Sequence, residues 1–562
     1  MDKIWLNSYP ANVKHEINPN EYSSLTDLLN QAFQKHGDSP FSVCMERWMS
    51  YKELDQLSQA LGAWFQAQGL QPGDRIAIML PNVPQFAVTM AAVLRAGYTC
   101  VNVNPLYTAR ELEHQLKDSG ASAIVILENF ASTLAEVIGH TGIQHTVIAS
   151  LGDLLGPFYG RWMTFAVRHL AKMVPEFELP LHDKHKVTSF KQAIAAGRQM
   201  NLKSVSQSLD DIAFLQYTGG TTGLSKGAVL THRNIVAAIL QAETWFAPAL
   251  SRLPDLRKVN SIAALPLYHI FALTLCLLAI RQGSHLTLVP NPRDFAKFIE
   301  TLKKRPFHML PGVNTLFNAL LQHPMFKTID FSNLCLTQAG GMAASEGTAR
   351  AWQAATGSAM IEGWGMSETC AIGTNNPVTR TSFSGNIGLP LPSIDMAIKD
   401  EDGNSLAQGE SGEICIRGPN VMVGYYKQEE ETQKAFTPDG YMRTGDVGIM
   451  DEQGYFRIVD RKKDMIIVSG FNVFPSELEN VISLCTGVLE CAAIGIPDAM
   501  QGEAIKVFVV RSDSMLTEDA LARYCHDNLT GYKRPKYIEF RDELPKSNVG
   551  KILRRELRSN TH

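Results

Sequence analysis

Residues 217–234 read YTGGTTGLSKGAVLTHRN, directly after the apolar run IAFLQ at 212–216. Within Tyr217–Gly227 fall four glycines, three threonines, a serine and a lysine. Glycine lets backbone N–H groups crowd an anion without a Cβ in the way. Threonine and serine add hydroxyl donors, and Lys226 adds a mobile charge. An apolar strand that opens into so many donors reads as a phosphate loop. The Walker A pattern, G-x-x-x-x-G-K-[ST], does not fit. Gly219 and Gly223 are four apart, and Lys226 lies three beyond Gly223 and is followed by Gly227. The loop therefore points to phosphate chemistry outside the kinase and GTPase pattern.

Outward from this loop, helix-like and strand-like runs alternate. YKELDQLSQALGAWFQAQG (51–69) has helical spacing, RIAIML (75–80) strand character, PQFAVTMAAVLRAG (84–97) helical spacing again. YTCVNVN, ARELEHQLKDSG and SAIVIL continue the alternation, which resumes after the loop through NTLFNALLQ. Such alternation with short connections predicts an α/β fold, with parallel or mixed sheets covered by helices. From about Ser384 short β-prone runs with D-G and P-D-G turn signals predict a small β region. After Arg461–Lys463 a compact mixed segment has apolar runs of its own. The expected division is an N-terminal domain at 1–461 and a small, mobile α+β domain at 462–562.

The bulk numbers bound the function. The 562 residues are 45% hydrophobic and 19% charged, with net charge −4, which argues against a nucleic-acid partner. Nine cysteines without a C-x-x-C pair read as free thiols in a reducing cytosol. No signal peptide, prenylation box or peroxisomal tripeptide is expected at the termini. The apolar stretch 262–280 is broken by Pro266 and His269, and is expected to form a strand, a loop and a core helix. Residues 158–174, FYGRWMTFAVRHLAKMV, mix aromatic and aliphatic residues with Arg161, Arg168, His169 and Lys172 and hold no acidic residue. That pattern suits an anionic lipid surface, and equally a surface helix docked on the core.

The Thr/Ser-rich, Gly-rich, Lys-Gly order resembles the signature loop of the acyl-adenylate-forming superfamily of acyl-CoA synthetases, luciferases and adenylation domains. Further stations follow in order: PLYHIFAL (266–273), GWGMSET (363–369), GEICIRG (412–418), YMRTGD (441–446), DRKKDMIIVSGFNVFPSELE (460–479) and LPKSNVGKILRREL (544–557). The resemblance spans the whole chain. VNVNPLYTARELEHQLKDSGASAIVI (101–126) and EFRDELPKSNVGKILRREL (539–557) are most similar to the bacterial long-chain fatty-acid–CoA ligases.

The resemblance implies a two-step reaction on a fatty acid, ATP and CoA, feeding beta-oxidation. The carboxylate attacks the α-phosphorus and pyrophosphate leaves; CoA then takes the acyl group and AMP leaves. It also implies roles. Thr218, Gly219, Gly220, Thr221, Thr222 and Gly223 cradle the β,γ-phosphates, with Lys226 at the mobile end. Glu368 holds Mg2+. Gly340, Gly341 and Glu362, Gly363, Trp364 and Gly365 frame the adenine, with the Ser367 hydroxyl nearby. Asp446 and Arg461 bind the ribose. Lys551 reaches the α-phosphate and the carboxylate, Lys463 sits at the domain hinge, and Gly470 lines the pantetheine path. His269 lies beside the acyl carbonyl, though a lone histidine in an apolar run is more often a satisfied core residue. The stretch 312–317 is expected to contribute to the acyl tunnel.

Departures from the family pattern are Trp364 for tyrosine, Ser367 for threonine, and Ala339 and Ala343 in QAGGMA. Leu273 stands where some members have a tryptophan gate. The family also implies a homodimer and a cytoplasmic protein peripheral to the bacterial inner membrane. Competing readings are a CoA ligase for medium-chain or aryl acids, a fatty-acyl-AMP ligase, and a catalytically dead acyl or nucleotide sensor. Intact Lys551, Glu368 and Asp446 argue against the last.

Overall fold

The computed structural model describes residues 3–179, 185–218, 225–461, 464–469, 471–498, 501–547, 550 and 552–559. Two large sheets carry the N-terminal part. The first has eight strands, in the order 424–425, 226–231, 212–218, 99–102, 75–79, 123–127, 145–149, 186–189. It is parallel from 212–218 onward and antiparallel at the end formed by 226–231 and 424–425. The second has nine, in the order 389–390, 374–375, 360–364, 336–339, 309–312, 260–263, 285–288, 40–44, 47–50, parallel through the middle and antiparallel at both ends. The α/β expectation holds, with both sheets mixed rather than purely parallel.

The reason the helices between the sheets form is visible in their composition. Pro84–Arg95 begins with proline at its first turn and is buried at every residue except its terminal arginine. A helix apolar on all sides has to be enclosed. His232–Leu250 starts at a capping box made by Thr231 and Asn234, and all of 235–242 is buried. One continuous core joins these helices to both sheets. The apolar stretch 262–280 divides as expected into the strand Asn260–Ala263, a loop and the helix Ile270–Gln282. No described helix is long and apolar enough to cross a membrane. All nine cysteines are free.

The strands 395–399, 412–417, 442–450 and 456–461 form an antiparallel four-stranded sheet, where the turn signals placed a β region. Beyond it, the strands 466–468, 471–473, 488–498, 502–511 and 537–541 make a further sheet. Two apolar clusters drawn from 466–557 pack on its two sides.

Candidate active site

The phosphate-loop segment is a hairpin rather than a strand-to-helix turn. Ile212–Thr218 runs antiparallel to Lys226–Thr231, and Thr218 lies opposite Lys226. That topology separates it from a Walker loop, which ends on a helix. Gly219, Gly220, Thr221, Thr222 and Gly223, between the two strands, lie outside the described residues. At the hairpin base the Tyr217 ring lies over Gly227, where an added β-carbon would stand 3.1 Å from it. Tyr217 Oη donates to Asp118 Oδ2 at 2.5 Å and locks that ring.

Lys226 does not stand alone. Its ammonium pairs with Glu431 and lies 5.3 Å from the centre of the Tyr425 ring, in cation–π range. Tyr425 is carried by Gly424–Tyr425, the edge strand that pairs with Lys226–Thr231. Its hydroxyl donates to Glu368 Oε1 at 2.8 Å. Burial, reinforced by the Glu368 charge, raises the Tyr425 pKa, so the phenol stays a donor. One ring therefore links the lysine of the phosphate loop to the carboxylate of GWGMSET. Neither Tyr425 nor Glu431 was among the sequence candidates; the signal was the doubled tyrosine of VGYYKQEEET (423–432), which carries no chemistry until the edge strand pairs.

Glu368 sits in the tight turn Ser367–Thr369 that follows the strand Met360–Trp364. Cys370 and Ala371 take left-handed backbone, with φ of 53° and 66°, to fold the chain back. The Glu368 carbonyl accepts from Met422 N at 2.7 Å. Glu368 as a whole is 6% exposed. Among the described residues no three His, Cys, Asp or Glu gather to hold a metal ion. A single hard oxygen donor fits Mg2+, which draws most of its ligands from phosphate and water.

At the same end of that strand, Trp364 Nε1 donates to Asp446 Oδ2 at 2.8 Å. Asp446 is on Met442–Met450, opposite Arg461 in the ladder. Its amide bonds to Thr444 Oγ1 at 3.1 Å, and Gly445 turns at φ 71° just before it. The swap of tyrosine for Trp364 thus replaces a hydroxyl with an indole donor engaged on this carboxylate. Glu362, two residues before Trp364 on the same face, is buried. Its Oε1 accepts from Ala344 N at 3.2 Å, and burial pushes its pKa up to about 8. Gly341 needs glycine, at φ 77°, and Gly340 packs on Phe271, whose ring would stand 3.1 Å from an added β-carbon.

His269 heads the helix Ile270–Gln282 and accepts from Phe271 N at 3.3 Å, a capping role for one ring nitrogen. Gln216 on the phosphate strand donates to the Tyr268 carbonyl at 3.1 Å, so the His269 loop and the hairpin are joined. In 312–317, Phe317 packs into the core 4.8 Å from Trp352, while Thr315 Oγ1 meets the Gly550 carbonyl at 3.5 Å. Gly550 immediately precedes Lys551. Lys551, Lys463 and Gly470 lie outside the described residues. The helix that follows, Arg554–Ser559, is tied down by Arg554 to Glu479 at 2.6 Å and to Asp464 at 3.4 Å.

With this geometry in place, comparison with known proteins gives a consistent result. The AMP-binding enzyme model matches residues 29–426, and that for the AMP-binding enzyme C-terminal domain matches 477–551. The chain is similar to a long-chain-fatty-acid–CoA ligase of Escherichia coli O157:H7, 48% identical over 560 residues, covering 99% of this chain and 98% of the relative. A protein of the same description from Haemophilus influenzae is 46% identical over the same shares. Among solved structures, ATP-bound MatB from Rhodopseudomonas palustris superposes with a TM-score of 0.80 at 27% identity, covering 95% of this chain and 98% of that one.

Proposed function

The chain belongs to the AMP-binding enzyme family, and from that we propose an ATP-dependent fatty-acid–CoA ligase that favours long-chain acids and works through an acyl-adenylate. The fatty carboxylate attacks the α-phosphorus of ATP and pyrophosphate leaves. The CoA thiol then adds to the acyl carbonyl, loses its proton, and AMP leaves as the thioester forms. The observation that supports this best is the convergence of Trp364–Asp446 and Glu368–Tyr425–Lys226 around one strand end. It supplies a nucleoside grip and a polyphosphate grip side by side.

In this reading Asp446, with Arg461, holds the ribose hydroxyls, and Gly340, Gly341 and Glu362–Gly365 frame the adenine beside the Ser367 hydroxyl. Thr218–Gly223 and Lys226 bind the leaving phosphates. Lys226 exchanges Glu431 for a phosphate oxygen when ATP binds. Glu368 holds Mg2+, which neutralises phosphate charge when bound. Lys551 screens the two negative centres that meet at the α-phosphorus, and the seating of Gly550 on Thr315 favours that assignment. A boundary at 461/462 with Lys463 as hinge lets the C-terminal domain turn between the half-reactions, opening a path along Gly470 for CoA. His269 orients the loop beside the acyl carbonyl.

ATP–pyrophosphate exchange over saturated acids of graded length, with and without CoA, tests this reading. Exchange that peaks with long chains, and CoA-dependent thioester, are expected. A peak at medium-chain or aryl acids contradicts the long-chain assignment. Exchange without thioester makes the protein a fatty-acyl-AMP ligase, and no exchange makes it a sensor.

Peripheral contact of a cytoplasmic enzyme with the inner membrane is part of the proposal. The helix Pro157–Phe165 and the π-helical turn Ala166–Leu170 present Phe158, Trp162, Phe165 and Leu170, and Met173 follows them, all more than half exposed. Arg168 is bonded to the buried Glu128, so Arg161, His169 and Lys172 remain as the exposed basic set. Flotation with anionic vesicles should fall when Trp162 and Phe165 become serine; unchanged flotation contradicts the contact. A homodimer is the expected assembly, read by sedimentation.

A further inference from the structure

Within VNVNPLYTARELEHQLKDSGASAIVI (101–126) lies the helix Ala109–Ser119. Both its ends are fixed. Thr108 and Glu111 form a capping box at the start, and Gly120 turns left-handed at φ 61° just past the end; each device satisfies orphan backbone groups. Leu112 and Leu116 share one buried apolar cluster with Leu215, Tyr217 and Val229 of the phosphate hairpin. Apolar packing of that kind is enough to dock a helix on a sheet.

Two polar contacts are added to it. His114 and Asp118 are four residues apart, so they lie one above the other on the helix surface. His114 Nε2 donates to the Ser225 carbonyl at 2.9 Å. Asp118 Oδ2 accepts from the Tyr217 hydroxyl at 2.5 Å. Ser225 directly precedes Lys226, Tyr217 directly precedes Thr218, and Thr218 and Lys226 are opposite each other in the ladder. One helix therefore holds both strands of the hairpin at the rung from which the phosphate loop springs. Lys427, two residues past Tyr425, reaches the Asp118 carbonyl at 3.5 Å and brings the edge strand to the same helix.

The two faces of the hairpin divide the work. Side chains alternate across a strand. Tyr217 and the β-carbon direction of Gly227 share the face toward the helix. Lys226, one residue before Gly227, faces the other side, where it meets Tyr425 and Glu431. His114 and Asp118 thus stand behind the phosphate grip and act on it through the Ser225 carbonyl and the Tyr217 ring.

We infer that His114 and Asp118 are positioning residues for the polyphosphate grip: they fix the rung that carries Thr218 and Lys226, and so set the affinity for the β- and γ-phosphates without touching them. This rests on the ligase reading and adds two residues to its site.

The test is ATP–pyrophosphate exchange with palmitate by the full-length enzyme, read beside inhibition by AMP. AMP lacks the phosphates that the hairpin holds, so it reports the nucleoside grip alone. His114→Leu removes the donor. The KM for ATP and for pyrophosphate should rise roughly three- to tenfold, the worth of one net hydrogen bond. The inhibition constant of AMP, the KM for palmitate and kcat should stay within about twofold, a split that a general loss of structure does not produce. His114→Gln, whose amide can donate from about the position of Nε2, should restore both raised constants. Tyr217→Phe deletes the hydroxyl alone and should give the same split; it decides the matter should His114→Leu fail to fold. An unchanged KM for ATP in either folded variant, a parallel rise for AMP and palmitate, or no recovery in His114→Gln overturns the assignment. Absence of exchange by the wild type with every acid is the separate failure of the ligase reading, and takes the positioning role with it.

Discussion

The Trp364 indole donates to the Asp446 carboxylate at 2.8 Å, so the residue that would stack on a nucleoside base also fixes the group that would grip its ribose. The two come from stretches 82 residues apart. Removing the donor should act on nucleotide binding more than on turnover. Trp364→Phe keeps an aromatic face but leaves an Asp446 oxygen without the indole donor, a loss of about 1–1.5 kcal/mol. The KM for ATP in pyrophosphate exchange should rise roughly five- to tenfold with kcat within twofold. An unchanged KM contradicts the role.

Tyr425 should control the metal dependence. Tyr425→Phe removes the bond to Glu368 but leaves the ring beneath Lys226. The Mg2+ concentration at half-maximal exchange should rise about fivefold, the worth of roughly one hydrogen bond, with little change in melting temperature. Identical Mg2+ titrations for the two proteins would show that the bond is incidental.

Glu362 makes stability pH-dependent. Burial raises its pKa in the folded state from the ordinary 4.5 to about 8. Between these values the folded protein holds a proton that the unfolded chain has released. Its contribution is therefore fully present below pH 4.5 and is lost as pH rises toward 8, by at most about 1.4 kcal/mol per unit. Glu362→Gln abolishes this dependence. Denaturation midpoints from pH 5 to 9 should show the variant gaining on the wild type through the window and levelling off above it. Parallel curves contradict the assignment.

Arg554 anchors the segment that carries Lys551. Its guanidinium bonds Glu479 and Asp464 in a largely buried setting. Arg554→Ala leaves the buried Glu479 carboxylate without its cation, while Asp464 keeps Arg558 at 3.1 Å, at a cost of about 3–5 kcal/mol. Chemical denaturation should show the loss, and exchange should fall with it. A variant as stable as the wild type contradicts the anchoring role.

Much of this was legible in the chain. The alternation from Tyr51 to Gln322 fixed the layers because buried helices and strands both keep their apolar period. The stretch 262–280 divided where Pro266 interrupts it. Asp446 and Glu368 were singled out through motifs, and the structure brings both to the end of the strand Met360–Trp364. What escaped depends on tertiary pairing. Tyr425 reaches Glu368 only because Gly424–Tyr425 adds to the edge of the hairpin strand. Within 158–174, Arg168 is bonded to Glu128, a partner 40 residues away that no local pattern announces.

The central claim is that the fatty carboxylate attacks the α-phosphorus. It is tested most directly with palmitate labelled with 18O in both carboxylate oxygens, incubated with ATP, Mg2+, CoA and the enzyme. The carboxylate oxygen that becomes the acyl–phosphate bridge leaves with AMP when the thiol displaces it. One 18O atom should therefore appear in AMP for each thioester formed, with none in pyrophosphate. Label in orthophosphate together with ADP would place the attack at the γ-phosphorus and contradict the account.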